Sequence, residues 1–217
     1  MRAVVLASAT ALDVAAARRL ADYGDLDDAG VARALEQVHM QRWGRRDLPG
    51  HLRQIDALAA IVIDQGQVQQ LAPAPAVDEA ALLAQLFAHW PESRADAPVA
   101  LVDWGGGAQS LLRARALAHE QPLPHGFEQA EACGLAEKAA PVAAGHPAPA
   151  ELIEAECLQL LADWRPLADE EPGSLNALAI ARGRLWLRWQ YCHGAIDAEY
   201  RTMLDNQLQS LNPGAGA

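Results

Sequence analysis

Apolar positions along this chain follow either a strand-like or a helix-like spacing, and the places where the spacing changes mark out its elements. Ala3 to Leu6 is a short β-branched and apolar run, the signal of a strand. It leads into Asp13-Val14-Ala15-Ala16-Ala17-Arg18-Arg19-Leu20, whose alanines and spaced apolar residues predict a helix. A second helix is predicted from a cap at Asp27 or Asp28, with Val31, Leu35, Val38 and Met40 at helical spacing, ending before Gly44 and Pro49. Leu58 to Ile63 is strand-like again, and Asp64-Gln65-Gly66 supplies turn chemistry before Val68 to Leu71, so a hairpin is predicted. Pro73 to Val77 reads as a connector, Asp78 as the cap of a helix carrying Leu82, Leu83, Leu86 and Phe87, and Val99 to Val102 as the next strand. Beyond it the signals are helical: Ser110 to His119, Phe127 to Lys138, Ala150 to Ala162, Ser174 to Gln190 and Asp197 to Leu211. The Ala/Pro/Gly-rich stretch Pro141 to Pro149 reads as a loop.

Early strands in a hairpin, a further strand, and helices to cover the faces predict an α/β layer architecture with a mixed sheet. A chain of 217 residues, of which 51% are hydrophobic, can bury one ample core. A single domain over residues 1–211 is expected, with 212–217 as a flexible tail. The apolar start is too brief for a secretory segment and no stretch approaches the roughly 20 apolar residues that span a bilayer, so a cytoplasmic protein without membrane contact is expected. Cys133, Cys157 and Cys192 share no C-x-x-C spacing and suggest neither a disulfide framework nor a zinc site. The net charge of -11 opposes nucleic-acid binding unless a local patch reverses it.

In order along the chain, Leu12 to Leu20, Leu48-Pro49-Gly50-His51, Val102-Asp103-Trp104-Gly105-Gly106-Gly107 and Leu187-Arg188-Trp189-Gln190 resemble the predicted 3'-5' exonucleases related to the proofreading domain of DNA polymerase B. That family belongs to the DnaQ-like, ribonuclease H-like group. The resemblance covers most of the chain, with Gln121 to Ala150 looking shortened, and implies a three-layer fold with a mixed central sheet flanked by helices. It also implies a chemistry: working members hold two divalent cations with four carboxylates and direct water at a phosphodiester.

Hard cations need anionic oxygen ligands, and at the matching positions this chain has none. The family's first Asp-x-Glu-Thr falls on Ala7-Ser8-Ala9-Thr10, so Ala7 and Ala9 replace both acids. The aspartate of the second motif falls on Ser110, or on Ala108 if the gap is placed differently. The last motif, anchored on Leu187 to Gln190, puts Leu178 at the final ligand position, and a competing anchor on Tyr191 to Ala195 supplies no acid either. No Asp or Glu precedes Asp13, none lies between Asp103 and Glu120, and none lies between Glu171 and Asp197. The resemblance therefore implies a degenerate member, a pseudo-nuclease kept as a binding or interaction module and expected to need no cofactor. The alternative is a weak or altered 3'-5' exonuclease that recruits acids such as Asp103 or Glu120 and uses Mg2+ or Mn2+. The arginine-over-lysine, alanine-rich composition suits a GC-rich bacterial genome.

Among individual candidates, Asp103 is the one carboxylate at a predicted strand end where a metal ligand would survive, although a single acid gives too few hard ligands. Asp13 reads as a cap or a surface charge. Gly105 to Gly107 lack the Lys-Ser/Thr of a phosphate loop and read as a tight strand-to-helix turn. Cys192 and His193 are neighbours on a helix, about 100° apart, and cannot pair directly. Two basic segments run against the global charge: Arg42, Arg45, Arg46 and Arg53, and Arg182, Arg184 and Arg188 interleaved with Trp186 and Trp189. Arginine beside an exposed aromatic can stack on bases or engage phosphates, so these segments are candidates for an unidentified protein partner or single-stranded nucleic acid. The competing reading makes the tryptophans core and the arginines its solvated edge.

Overall fold

The computed structural model describes residues 1–44, 50–71, 78–92, 98–143, 150–162 and 173–211. Arg45, Arg46, Leu48, Pro49, the 73–77 connector and the 212–217 tail lie outside the described residues. The chain forms β1 (Arg2–Leu12), α1 (Val14–Leu20), α2 (Asp28–Trp43), a short 3-10 turn at Gly50–Leu52, and the hairpin β2 (Arg53–Asp64) and β3 (Gln67–Leu71). It continues with α3 (Glu79–Ala88), β4 (Ala100–Asp103), α4 (Ala108–Ala118), β5 (Glu131–Gly134), α5 (Leu135–Ala143), α6 (Ala150–Ala162), α7 (Gly173–Cys192) and α8 (Ala198–Ser210).

The five strands form one sheet in the order β3-β2-β1-β4-β5. β1 runs antiparallel to β2 and parallel to β4, and β5 is parallel to β4, so the sheet is mixed. Alternate residues of β1 serve opposite faces. Ala3, Val5 and Ala7 join one core with Ile61, Ile63, Trp186, Leu187, Leu204 and Leu208. Val4 and Leu6 join the other with Leu83, Leu86, Leu101, Leu112 and Phe127. Helices α5 to α8 cover the first face and α3 and α4 the second, which makes three layers. Alanines at 3, 7 and 59 on the sheet, with Ala177, Ala179 and Ala181 buried on α7, leave room for that helix to lie close over β1 and β2, and Gly183 lets Leu208 of α8 pack against α7.

β1 is longer than its β-branched run predicts. Residues 7–12 are Ala-Ser-Ala-Thr-Ala-Leu, poor strand formers in isolation, yet they pair with β2 as far as Leu12↔Arg53 after a bulge at Ala9/Thr10. Asp13 caps α1 through the Ala16 amide, Asp27 caps α2 and Asp78 caps α3. Gly44 closes α2 in the left-handed conformation at φ 71. One predicted helix is overturned: Glu131 to Gly134, inside the expected Phe127–Lys138 helix, is β5, and α5 begins only at Leu135. The residues Glu-Ala-Cys-Gly have little intrinsic strand character and are extended because they pair in register with Ala100 to Asp103. The stretch predicted as a loop from Pro141 is also partly helical, since α5 runs to Ala143.

Candidate functional site

β1 and β4 are parallel neighbours, so their carboxyl ends lie at the same edge of the sheet, the usual place for a crevice in an open α/β sheet. Their pairing ends at Val5↔Val102, and beyond that point the strands part. A cleft of about 440 Å3 opens there. Ser8 and Thr10 line it from β1, Arg53 from the start of β2, Asp103 from the end of β4, Ser110 from α4 and Arg182 from α7. Leu6, Trp104 and Leu111 supply apolar wall.

The turn that carries β4 into α4 is built on glycine for two separate reasons. Gly106 has φ +74, a conformation L side chains rarely adopt. A Cβ on Gly134 would meet the Gly106 nitrogen at 3.1 Å and its Cα at 3.3 Å, so the loop is seated directly on the end of β5. Both oxygens of Asp103 are engaged by this loop. Its Oδ1 accepts from the Gly106 amide at 2.8 Å, and its Oδ2 from the Gly107 and Ala108 amides at 3.0 and 3.1 Å. Burial pushes the Asp103 carboxyl above its ordinary value, against the pull of those amides and of the Arg182 charge. The residue acts as the anchor of the loop and of the first turn of α4.

The four positions matched to acids by the sequence resemblance, Ala7, Ala9, Ser110 and Leu178, do not converge on this cleft. Ser110 lines it and is exposed. Ala7 is 0% exposed, packed into the core under α7. Ala9 is exposed and Leu178 packs against that same core, and neither lines the cleft. One helical turn beyond Leu178, on the same face of α7, is Arg182, which does line it. Arg182 is 9% exposed; it donates from Nε to Glu154 Oε1 at 2.6 Å and from Nη1 to the Leu6 carbonyl, just past the last β1–β4 pair. Glu120 sits beyond the far end of α4, ten residues from Ser110, which is about 15 Å along a helix axis.

The basic candidates divide. Arg53 lies on the cleft, and Arg42 is exposed in the last turn of α2. Arg184 pairs with Asp205 of α8 at 2.8 Å, and Arg188 donates to the Leu161 carbonyl of α6. Both therefore fasten α7 to neighbouring helices. Trp186 is 1% exposed and part of the core, while Trp189 stacks under Lys138, whose Nζ is 3.9 Å from the ring centroid. The sequence singled out Arg182 together with Arg184 and Arg188 without distinguishing the one that lines the cleft, and it gave Ser8 and Thr10 no role of their own.

A second polar cluster lies where α1, α3 and α4 meet. Arg115, 4% exposed, donates to Asp13 Oδ2 at 2.8 Å and grips Glu79 with two bonds of 2.8 and 2.6 Å. The Ile55 amide donates to Glu79 at 2.6 Å and His119 Nε2 lies 2.7 Å from it. Burial opposes ionisation of Asp13 and Glu79, but amides and the Arg115 guanidinium outweigh it and hold both carboxyls below their ordinary values. Every charged group here has a partner, which fits a structural clasp. Among the described residues no group of three or more His, Cys, Asp or Glu side chains is arranged as a metal site, and no helix is long and apolar enough to cross a membrane.

Compared with known proteins, the chain matches no family model, no curated protein and no solved structure.

Proposed function

We propose that this chain is a non-catalytic member of the ribonuclease H-like, DnaQ-like exonuclease fold, a pseudo-nuclease in which the cleft serves for binding. The mixed three-layer sheet with a cleft at the carboxyl ends of β1 and β4 is compatible with that fold. The observation that carries the functional half is the state of Asp103: among the described residues it is the one carboxylate lining the cleft, and both of its oxygens accept from backbone amides. A two-metal reaction needs several anionic oxygens free to bridge the ions. The hydroxyls of Ser8, Thr10 and Ser110 and the guanidinium of Arg182 do not supply them.

The test is incubation of the purified chain with a 3'-labelled single strand in Mg2+ and in Mn2+. The strand is expected to stay intact over hours at micromolar protein. Shortening that is lost in Asp103→Asn would establish the alternative, a weak metal-dependent exonuclease, and overturn this reading. Salt-dependent retention of the uncut strand that fails in Arg42→Gln would redirect it to a nucleic-acid binder acting through α2.

A further inference from the structure

We infer that the cleft between β1, β4, α4 and α7 is a metal-independent site for a small phosphomonoester, held by Arg53 and Arg182. The inference deepens the reading of the cleft as a binding site and rests on it. Among the described residues that line the cleft, two arginines stand against one carboxylate, and one of the arginines, Arg182, is also paired with Glu154. The cleft's two cationic side chains come from different elements, Arg53 at the start of β2 and Arg182 from the middle of α7, and three hydroxyls, Ser8, Thr10 and Ser110, share the same space. Guanidinium groups and hydroxyl donors are the chemistry that takes phosphate oxygens directly, without a bridging cation.

The two arginines are prepared differently. Arg182 is buried and set in place by Glu154 through Nε and by the Leu6 carbonyl through Nη1, which orients the guanidinium without using all its donors. Arg53 is half-buried and makes no ion pair among the described residues. The one carboxylate on the cleft among the described residues, Asp103, accepts from the Gly106, Gly107 and Ala108 amides, which offset part of its charge.

Size and field choose a small ligand over a polymer. The cleft's roughly 440 Å3 falls within the range of small-molecule pockets, and Leu6, Trp104 and Leu111 offer an apolar wall to the organic part of an ester. A net charge of -11 repels a polyanion laid across tens of ångströms of surface. A monoester needs only charges local to the cleft, and direct contacts there are far less screened by salt than a long-range surface field.

Titration calorimetry in EDTA at matched ionic strength, with inorganic phosphate and with adenosine 5'-monophosphate as probes, tests the inference. Saturable binding is expected for both, tighter for the ester. It should weaken at least tenfold in Arg53→Gln and in Ser110→Asp, and stay unchanged in Arg42→Gln. Arg53 is half-buried and Ser110 exposed in the first turn of α4, where an acid suits the helix start, so far-UV circular dichroism should show both variants folded. Absence of saturable binding, binding indifferent to both cleft variants, or binding that appears only with Mg2+ or Mn2+ overturns the inference. Metal-dependent shortening of the labelled strand instead overturns the pseudo-nuclease reading, and the two failures are read in separate assays.

Discussion

At the scale of single residues, the most consequential side chains are acids whose partners lie far away in sequence. Glu79 holds Arg115, which also holds Asp13 across 102 positions of chain. Removing one member of such a buried set costs more than the set contributes, because the remaining charge is left without its counter-ion. Glu79→Gln keeps the shape and removes the charge, and at pH 7 should lower stability to urea by about 1.5–3 kcal/mol, the worth of charged hydrogen bonds. The pH dependence has a definite sign. The folded-state values of Glu79 and Asp13 lie below their ordinary 4.5 and 3.8, so the unfolded chain binds more protons in this range and stability rises with pH. Their contribution is complete above pH 4.5 and lost as pH falls through the folded values. The gap between Glu79→Gln and the native chain should therefore be widest at pH 7 and shrink below pH 4. A gap that stays constant to pH 3 would remove Glu79 from the acid-sensitive set. Asp103 contributes in the opposite sense, because burial raises its value.

At the scale of elements, the cleft depends on a loop that is anchored at both ends. Asp103 ties the loop to α4, and the close approach of Gly106 to Gly134 ties it to β5. Gly134→Ala should cost about 1–3 kcal/mol, as overpacking typically does, because the atoms met at 3.1 and 3.3 Å are backbone and cannot swing away. Gly105→Ala, where an added Cβ meets nothing within 4 Å, should leave the thermal midpoint nearly unchanged. Equal effects at the two positions in differential scanning calorimetry would contradict this account of the loop. Among the helices, α7 is the element that integrates the fold: Arg182 reaches α6 and β1, Arg184 reaches α8 and Arg188 reaches α6. Its three arginines are interleaved with tryptophans in sequence, yet each of them makes one of these internal bonds.

At the scale of the whole molecule, one sheet separates two cores and both depend on β1. Trp186 reports the core under α7, and Trp90 the core under α3 and α4. With the central strand shared, denaturation followed by tryptophan fluorescence and by far-UV circular dichroism should give coincident transitions. Leu208, 0% exposed on α8 and far from either end of β1 in sequence, should lower both together by about 2–5 kcal/mol when changed to Ala. Separate transitions would divide the chain into two folding units. The sequence by itself determined the cap at Asp78, a cap at Asp27 or Asp28, the hairpin turn at Asp64 to Gly66, the apolar start of β1 and the absence of acids before Asp13, because each follows from local pattern or plain identity. Only the tertiary structure decided that Glu131 to Gly134 is a strand, that Asp13 and Asp103 are consumed by Arg115 and by loop amides, and that Arg182 stands in the cleft one turn from Leu178. Strand pairing and ion pairing join residues tens to more than a hundred positions apart, and no local spacing records which partner a short alanine-rich segment or a single buried charge will meet.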